Sequence, residues 1–422
     1  MRRIQILILR PYKMEIIKKL PLEVWFLLLI VTGYTIFSAL AVPFNIENSQ
    51  IFSVPFRVIV FLLSLYIIGK NFTFKKGKNI AVLAVIFFWL LYSLKSYLSF
   101  TNDFYENPFA QNYMDVYVRI FVIAFVPSLA LLFINYKEIN FSQVAKGFFY
   151  TLVVMLTVNM IYGVLMPAGK SLQFIFSMYY ISYGHLGTSL VLISLFYFLF
   201  RSKEIPSYLL IYGMMLGIST IVIAGARSPF LAIMVAVPYL LVIKKNYKLI
   251  SIFILLLLLS IIGIYFLGRN ENFELMFVDR TYLWLFEGDN SLRTPLFKNA
   301  LNIFKQNPIL GGRTHFENGM YPHNIFLELL MATGIVGLII YMLKFIPVIK
   351  NFKIFSYQII NSYHILFFTL FLQYFVLCFT SFTLYSVPEF LYFSSIIIGI
   401  SLNNINEENE SNDGRRNPSG DY

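Results

Sequence analysis

The sequence predicts an all-α integral membrane protein, and its composition, apolar segments and charge distribution each support that fold class. Of its 422 residues, 58% are hydrophobic and only 13% are charged, whereas soluble domains carry about 25% charged residues. Such a chain cannot cover its apolar surface with polar side chains, so lipid must solvate it. The single cysteine, Cys378, excludes a disulfide scaffold and a cysteine-based metal cluster.

Apolar segments predict about twelve transmembrane helices, since a helix needs roughly 20 apolar residues to cross a bilayer. The first segment is too long for a cleavable signal, and we expect it to be retained. With their loops these segments form one membrane domain, residues 1–402, followed by a polar tail, 403–422, expected to be disordered and cytoplasmic. The predicted spans are 22–43, 54–69, 79–99, 116–135, 147–166, 186–200, 206–224, 228–243, 249–267, 323–343, 359–382 and 387–402.

The distribution of Lys and Arg predicts the orientation, because positive residues stay on the cytoplasmic side. With the N-terminus inside, the inner segments hold 22 of these residues and the outer segments hold 8. Three more, Arg57, Lys95 and Arg119, lie within spans. Both termini are therefore expected in the cytoplasm. The formal net charge of +12 then follows from topology and requires no nucleic acid partner.

A long outer loop, residues 268–322, separates the ninth and tenth spans, and a loop of this length has structure or function of its own. Thr294 followed by Pro295 predicts the start of a helix. Apolar residues then recur at helical spacing, and Asn307 followed by Pro308 ends the pattern. The loop is therefore predicted to contain an amphipathic helix that lies on the membrane surface.

Two arginines are candidates for holding an anion. Arg227 lies at the predicted outer edge of the bilayer, where an arginine is costly unless it is paired or faces water; this favours function over snorkelling to lipid phosphates. Arg293 precedes the loop helix, whose N-terminal N–H groups and dipole favour an anion. A guanidinium can bind two phosphate oxygens at once, but an ordinary solvated arginine is equally compatible with this position.

Other arginines of the loop, Arg269, Arg280 and Arg313, could join such a site, and Arg280 and Arg313 are kept as candidate substrate-binding residues. Ordinary ion pairs are the favoured interpretation for all three, because the loop also carries six acidic residues. These are Glu271, Glu274, Asp279, Glu287, Asp289 and Glu317.

His323 opens the tenth span at the boundary between water and lipid, where an imidazole can accept a proton near neutral pH. A polar helix cap is the ordinary interpretation of such a residue. Asn324 can cap the helix, and Glu328 lies one turn deeper on the same face, where a carboxylate needs a partner; both are candidate substrate-binding residues. Gly334 and Gly337 are expected to be positions where another helix approaches closely.

The sequence lacks D-x-D, the phosphate-binding loop G-x-x-x-x-G-K-[ST], H-E-x-x-H and G-x-S-x-G, which are common metal, nucleotide and nucleophile motifs. We therefore expect no metal and no cofactor. Arginine would then have to hold any phosphate.

Three blocks of sequence, in this order, resemble the signature blocks of the bacterial O-antigen ligase and O-antigen polymerase superfamily. They share an arginine that opens a span, an S-x-R before a loop helix that ends in N-P-x-x-G, and H-N-x-x-L-E running into G-I-x-G. The similarity covers about residues 215–345, and the first half of the chain matches in topology only. The blocks are GARSPFLAIMVAVPYLL, DNSLRTPLFKNALNIFKQNPILGG and PHNIFLELLMATGIVGLIIY.

The resemblance implies a GT-C-like glycosyltransferase of the bacterial inner membrane, with its active site on the outer face and undecaprenyl-diphosphate-linked sugars as donors. On that interpretation Arg227 and Arg293 hold the diphosphate, and His323 orients or deprotonates the acceptor hydroxyl in a direct, inverting displacement. Phe297 stands where the family often has Trp. Expected partners are a lipid-linked oligosaccharide, a growing polysaccharide or lipid A core, the bilayer and a chain-length regulator.

Three functions remain open at this point. A polymerase joins one lipid-linked repeat unit to another, whereas a ligase transfers the finished polymer to lipid A core. We favour a polymerase, because the first half of the chain is idiosyncratic, as expected when repeat units differ between strains. A transporter or lipid-linked oligosaccharide flippase is the alternative from another class, because Arg57, Lys95 and Arg119 lie within spans.

Overall fold

The structure is a computed structural model, and it describes residues 21–40, 50–102, 113–165, 180–270, 275–288, 293–356 and 361–416. Within these ranges the chain is helical and no strand occurs, which confirms the all-α prediction. The helices are α1 (Leu22–Ala39), α2 (Gln50–Asn71), α3 (Ile80–Asn102), α4 (Tyr113–Phe133), α5 (Phe141–Leu165), α6 (Tyr180–Phe200), α7 (Ser207–Ala224), α8 (Arg227–Ile243), α9 (Tyr247–Gly268), α10 (Met276–Phe286), α11 (Arg293–Gln306), α12 (Ile325–Leu343), α13 (Ser362–Cys378) and α14 (Pro388–Arg416).

Each predicted span coincides with one of these helices. In the described ranges nine of them are long and apolar enough to cross a bilayer, namely α1 to α7, α9 and α12. The helices α8 and α13 are apolar but have only 17 residues, so the count of about twelve spans stays a prediction. The last helix continues to Arg416 and includes part of the segment predicted as a tail, whose disorder also stays a prediction.

Contacts between helix ends define two ends of the bundle. At one end Glu23 of α1 pairs with Lys70 of α2 over 2.7 Å. Glu204, which lies between α6 and α7, accepts hydrogen bonds from Ser142 at the start of α5 and Tyr363 at the start of α13. We assign these contacts to the same end. The helices α1 and α2 therefore run in opposite directions, and α5, α7 and α13 begin at a common end. We call this the inner end and the other the outer end, following the predicted orientation.

The core of the bundle is apolar and contains α6, in which 78% of the membrane-spanning stretch is buried. In α9 only 6% of that stretch is buried, because nearly all its side chains lie on the outside of the bundle. Two small clusters lie apart from the core at the outer end. One joins α9 to α10 through Ile264, Phe277 and Val278, and the other joins α11 to α12 through Ala300, Ile303 and Met331.

The loop helix α11 differs from its prediction in two respects. It begins at Arg293, so Thr294 lies inside the helix rather than at its N-cap. Pro295 still falls within the first turn, where its missing N–H has no helical partner to lose, and the helix ends at Gln306 as predicted. Its buried residues, Ala300 and Ile303, pack on α12 and the following loop, whereas Leu301 of the predicted apolar face is exposed, so contact of that face with the membrane surface stays a prediction.

The helix α12 is broken at Gly334, whose backbone has φ +63° and ψ −162°. The segment 308–312 enters this break. The N–H groups of Ile335 and Val336, which lack helical acceptors at the break, donate to the carbonyls of Pro308 and Ile309 over 2.9 and 3.1 Å. The N–H of Gly312 donates to the carbonyl of Met331 over 2.8 Å.

Two glycines allow this approach. A Cβ added at Gly334 would lie 2.4 Å from the carbonyl oxygen of Ile309, and one at Gly311 would lie 2.4 Å from the carbonyl carbon of Ala332. Gly334 was expected to face another helix, and that prediction is corrected: its neighbour is the backbone of the loop. Gly337 packs against the side chain of Thr333, one turn earlier in its own helix.

Candidate functional site

Arg293 acts electrostatically on His323, although the two are thirty residues apart in sequence. Burial, and to a lesser extent the charge of Arg293, lower the pKa of His323 to about 4, so the imidazole is neutral near pH 7 and is a weaker proton acceptor than a free histidine. His323 is half-buried, and its ring centroid is 4.3 Å from that of Tyr321. Two of the three predicted catalytic residues thus interact electrostatically, and their catalytic roles stay predictions.

His323 also has an unusual backbone, with φ +53°. This left-handed conformation is uncommon for residues other than glycine, although Asn, Asp and His adopt it more readily than most. It turns the chain immediately before α12, so the side chain of His323 projects from a bend rather than from the regular helix. Backbone strain of this kind concentrates at functional sites, and the residue sequence gave no signal for it.

Asn324 caps α12, as predicted. Its side-chain oxygen accepts hydrogen bonds from the N–H groups of Phe326 and Leu327 over 3.0 and 3.1 Å, and its amide donates to the carbonyl of Phe379 over 3.2 Å. Capping of this type contributes about 1 kcal/mol. The side chain therefore fixes the start of α12 against the end of α13; its contact with substrate stays a prediction.

Glu328 is fully buried, and both carboxylate oxygens have partners. One accepts a hydrogen bond from the Tyr92 hydroxyl of α3 over 2.5 Å, and the other accepts one from the N–H of Leu384 over 3.1 Å. The prediction that this carboxylate has a partner is confirmed. Glu328 therefore links α12 to α3 and to the segment between α13 and α14, and its role toward substrate stays a prediction.

The first half of the chain supports the loop through α3, a contact that could hardly be expected from the sequence. The Lys95 ammonium donates to the carbonyl of Gly311 over 2.9 Å. One turn further on, the Ser99 hydroxyl accepts a hydrogen bond from the N–H of Thr314 over 3.0 Å. Lys95 was one of the charges within spans that left a transporter function possible, and its observed partner is the loop backbone. A basic residue inside a span was the only sign in the sequence that α3 has a polar partner.

A buried polar chain continues from Thr314. Its hydroxyl lies 3.0 Å from Nδ1 of His315, and Nε2 of His315 lies 2.8 Å from the Tyr385 hydroxyl. His315 is 4% exposed, and burial lowers its pKa to about 4. Arg119 of α4, which begins a π-helical segment, contributes positive charge near Tyr385. The loop therefore rests on polar groups from three separate parts of the sequence.

Arg227 is the first residue of α8 and is half-buried. The tight turn before it depends on Gly225, which has φ +63° and lies under the side chain of Met276 of α10. The next residue, Ser228, lies 3.1 Å from Nε2 of His185, so α8 is tied to α6 at its outer end. This confirms that the arginine opens a helix, and α10 covers the turn; its place at the outer face of the membrane stays a prediction.

The helix α13 connects this region with the start of α12. Its Gln373 amide donates to the carbonyl of His185 over 2.7 Å, and the carbonyl of Phe379, just after α13, accepts from Asn324. The sequence neighbours of Arg227 and His323, namely Ser228 through His185 and Asn324 directly, are therefore linked to α13 and the residue after it. Joint contact of the three predicted catalytic residues with one ligand stays a prediction.

The remaining loop arginines have protein partners. Arg313 forms an ion pair with Glu317 over 3.2 Å, which confirms the ordinary interpretation for that residue. Arg280 lies over the ring of Tyr180 at 5.0 Å, and Arg269 lies over the ring of Tyr265 at 5.5 Å. Substrate binding by Arg280 or Arg313 stays a prediction. Three of the acidic residues considered as their partners, Glu271, Glu274 and Asp289, lie outside the described residues.

In the part of the chain that the structure describes, no three His, Cys, Asp or Glu side chains come together as metal ligands. The groups available at the outer end include the neutral imidazole of His323 and the guanidinium of Arg293, whose charge acts on that imidazole. Such a pair can stabilise negative charge on one group while the imidazole takes a proton from another.

Comparison with known families finds one match. Residues 212–342 match the family model described as O-antigen ligase, and all three sequence blocks fall within the match, so the resemblance is confirmed over that range. No curated protein matches the chain. The match supports a membrane enzyme of the O-antigen ligase or polymerase type, with glycosyltransferase-like activity.

Proposed function

We propose that the protein is a metal-independent membrane glycosyltransferase that takes sugar from an undecaprenyl-diphosphate-linked donor and polymerises the repeat units of a surface polysaccharide, an O-antigen or a capsule. The observation that carries this proposal is the electrostatic interaction of Arg293 with His323. One residue supplies a permanent positive charge, and the other supplies an imidazole that is neutral at physiological pH.

The reaction on this proposal is a single displacement. The acceptor hydroxyl oxygen attacks the anomeric carbon, the bond between that carbon and the diphosphate oxygen breaks, and the bonding electrons leave with the lipid diphosphate. Inversion of the anomeric configuration follows. His323 accepts the hydroxyl proton, while Arg293 balances the charge that develops on the leaving group.

Arg227 is the second residue proposed to bind the diphosphate. Its support is its position at the outer end of α8, its half-buried side chain and the family match that covers it. A planar guanidinium matches two phosphate oxygens, whereas a lysine ammonium acts as a point charge. Replacement of either arginine by Lys should therefore restore little activity.

Polymerisation is proposed over ligation because α3, in the half of the chain without family motifs, supports the loop through Lys95 and Ser99. A polymerase must recognise a particular repeat unit, and variable helices next to the shared domain can supply that recognition. The printed description of the matched family favours the second candidate, transfer of the polymer to lipid A core. Both reactions use the same type of donor, but their acceptors differ.

Reconstitution with purified lipid-linked repeat units tests the reaction. A polymerase should produce a ladder of longer lipid-linked chains from this substrate alone, whereas a ligase should need lipid A core and should transfer without elongation. Deletion of the gene should leave single repeat units on the cell surface if the polymerase is lost. Polymer that accumulates on the lipid diphosphate would instead establish ligation and refute polymerisation.

Variants of the site separate chemistry from folding. His323→Asn is the sharpest of them, because Asn tolerates the left-handed backbone and removes the proton acceptor. It should lose activity about 10²- to 10⁴-fold while donor binding persists. Arg293→Ala should lose donor binding, and Arg269→Ala, an exposed arginine of the same loop, is the matched control. Normal turnover in His323→Asn would remove the histidine from the mechanism.

A further inference from the structure

A polar cavity lies at the inner end, far in sequence from the match with the ligase family. Its volume is about 380 Å³, within the lower range of ligand pockets, about 300 to 1,000 Å³. It is formed by the end of α2, the segment that leads to α3, the segment that follows α4, and α14. Three lysines and four neutral polar side chains line it: Lys70, Lys76, Lys137, Asn71, Thr73, Asn135 and Asn403.

An apolar groove of about 270 Å³ adjoins this cavity. Phe133 connects the two, because its ring lines the groove while its carbonyl accepts a hydrogen bond from Lys76, a lining residue of the cavity, over 3.0 Å. The groove is bounded by α2, the segment that leads to α3, α3 itself and α4. Its lining side chains include Ile68, Phe72, Val82, Ile86 and Leu129.

Positive charge predominates around the cavity. The segments 70–78 and 134–138 carry five lysines and one glutamate, Glu138, and Glu23 of α1 adds a second carboxylate that pairs with Lys70. Lys76 is half-buried and bonds to a neutral carbonyl. Among the described residues no carboxylate lies within ion-pair distance of it. A ligand with one or two negative charges would therefore balance the local excess.

We propose that this cavity and groove bind one molecule of anionic phospholipid, with the headgroup phosphate among the lysines and an acyl chain along the groove. The charge selects an anion, and the adjoining apolar groove at the edge of the bilayer selects a lipid over a soluble phosphate. Basic pockets between transmembrane helices on the cytoplasmic side are suited to such headgroups. The site would be separate from the glycosyltransferase site at the outer end.

Spin-labelled lipids test the proposal with the full-length protein in nanodiscs of equimolar phosphatidylcholine and phosphatidylglycerol. Labelled phosphatidylglycerol should show a larger immobilised fraction than labelled phosphatidylcholine. Lys137→Gln, a change at an exposed side chain, should lower the preference about fivefold, as expected for one lysine near an anionic lipid. Lys248→Gln, an exposed lysine elsewhere at the inner end, is the matched control and should leave the preference unchanged.

The outcomes that overturn the proposal are distinct. Equal preference in the wild type and Lys137→Gln would refute the headgroup site, and an equal loss in Lys248→Gln would reduce it to general surface attraction. Displacement of the immobilised lipid by excess inorganic phosphate would identify a soluble-anion site instead. Leu129→Trp, which fills the groove, should lower the immobilised fraction, and an unchanged fraction would refute the acyl-chain half of the proposal.

Discussion

Replacement of Gly334 by Ala should disrupt the junction between the loop and α12. The backbone there has φ +63° and ψ −162°, a region that is nearly restricted to glycine and costs other residues about 1–3 kcal/mol. The new methyl group would also lie 2.4 Å from the carbonyl oxygen of Ile309 and 2.6 Å from the N–H nitrogen of Gly311. Both atoms belong to backbone, so the segment must move away.

The magnitude follows from the contacts that such a movement breaks. Three backbone hydrogen bonds join the segment to the break in α12, and each contributes about 1 kcal/mol net. Together with the conformational cost, the loss is about 4–6 kcal/mol. A typical protein has a total free energy of unfolding of about 5–15 kcal/mol, so the variant should lose a large part of its stability.

The free energy of unfolding in detergent, measured by denaturant titration and tryptophan fluorescence, checks this value. Gly263→Ala is the matched control: Gly263 lies within α9 and an added Cβ would meet no atom within 4 Å. This control should be unchanged or stabilised by up to about 1 kcal/mol, since Ala favours helix over Gly. Equal stability of the two variants would refute the account of the broken helix.

Three further predictions concern the loop and the topology. Lys95→Met should lower polymerisation without loss of protein from the membrane, because the Gly311 carbonyl loses its partner; full activity would show that the contact is dispensable. The midpoint of thermal unfolding should fall as the pH decreases from 6.5 towards 4, because the buried His315 is neutral when folded and takes up a proton when unfolded. His315→Gln should flatten this pH dependence, and an unchanged slope in the variant would contradict the prediction. A cysteine introduced at Lys298 should react with an impermeant reagent in intact spheroplasts, whereas the sole native cysteine, Cys378, is buried; labelling at Lys298 only after lysis would reverse the orientation.

The positions of the helices could be predicted from sequence because lipid imposes a strong local rule. A spanning segment must be apolar over most of its length and must satisfy its own backbone, so hydropathy alone locates it. The exact ends were less predictable: the tenth span was expected from 323, but α12 begins at Ile325. Residues at the boundary of the bilayer can be polar or apolar, so composition does not define the last turn.

For site residues too, interactions with sequence neighbours could be predicted, whereas interactions with distant residues could not. Asn324 could be predicted as a cap because capping depends on the next three residues only. The partners of Glu328 could not, because Tyr92 is 236 positions away in sequence. The break at Gly334 was also hidden, since glycine is common where membrane helices pack, and its left-handed backbone follows from a loop that lies elsewhere in the chain.

The break in α12 also has a consequence for biosynthesis. The segment 308–312 leaves the ribosome before α12, but its hydrogen-bond partners at Met331, Ile335 and Val336 follow it. An inserting helix satisfies its own backbone groups in lipid, so a newly inserted α12 would be continuous through Gly334. Maturation must then convert a complete helix into two halves as the segment docks, with Lys95 of the earlier helix α3 already present to receive Gly311. The order of synthesis thus makes assembly of the outer end a late event that depends on a helix made more than two hundred residues earlier.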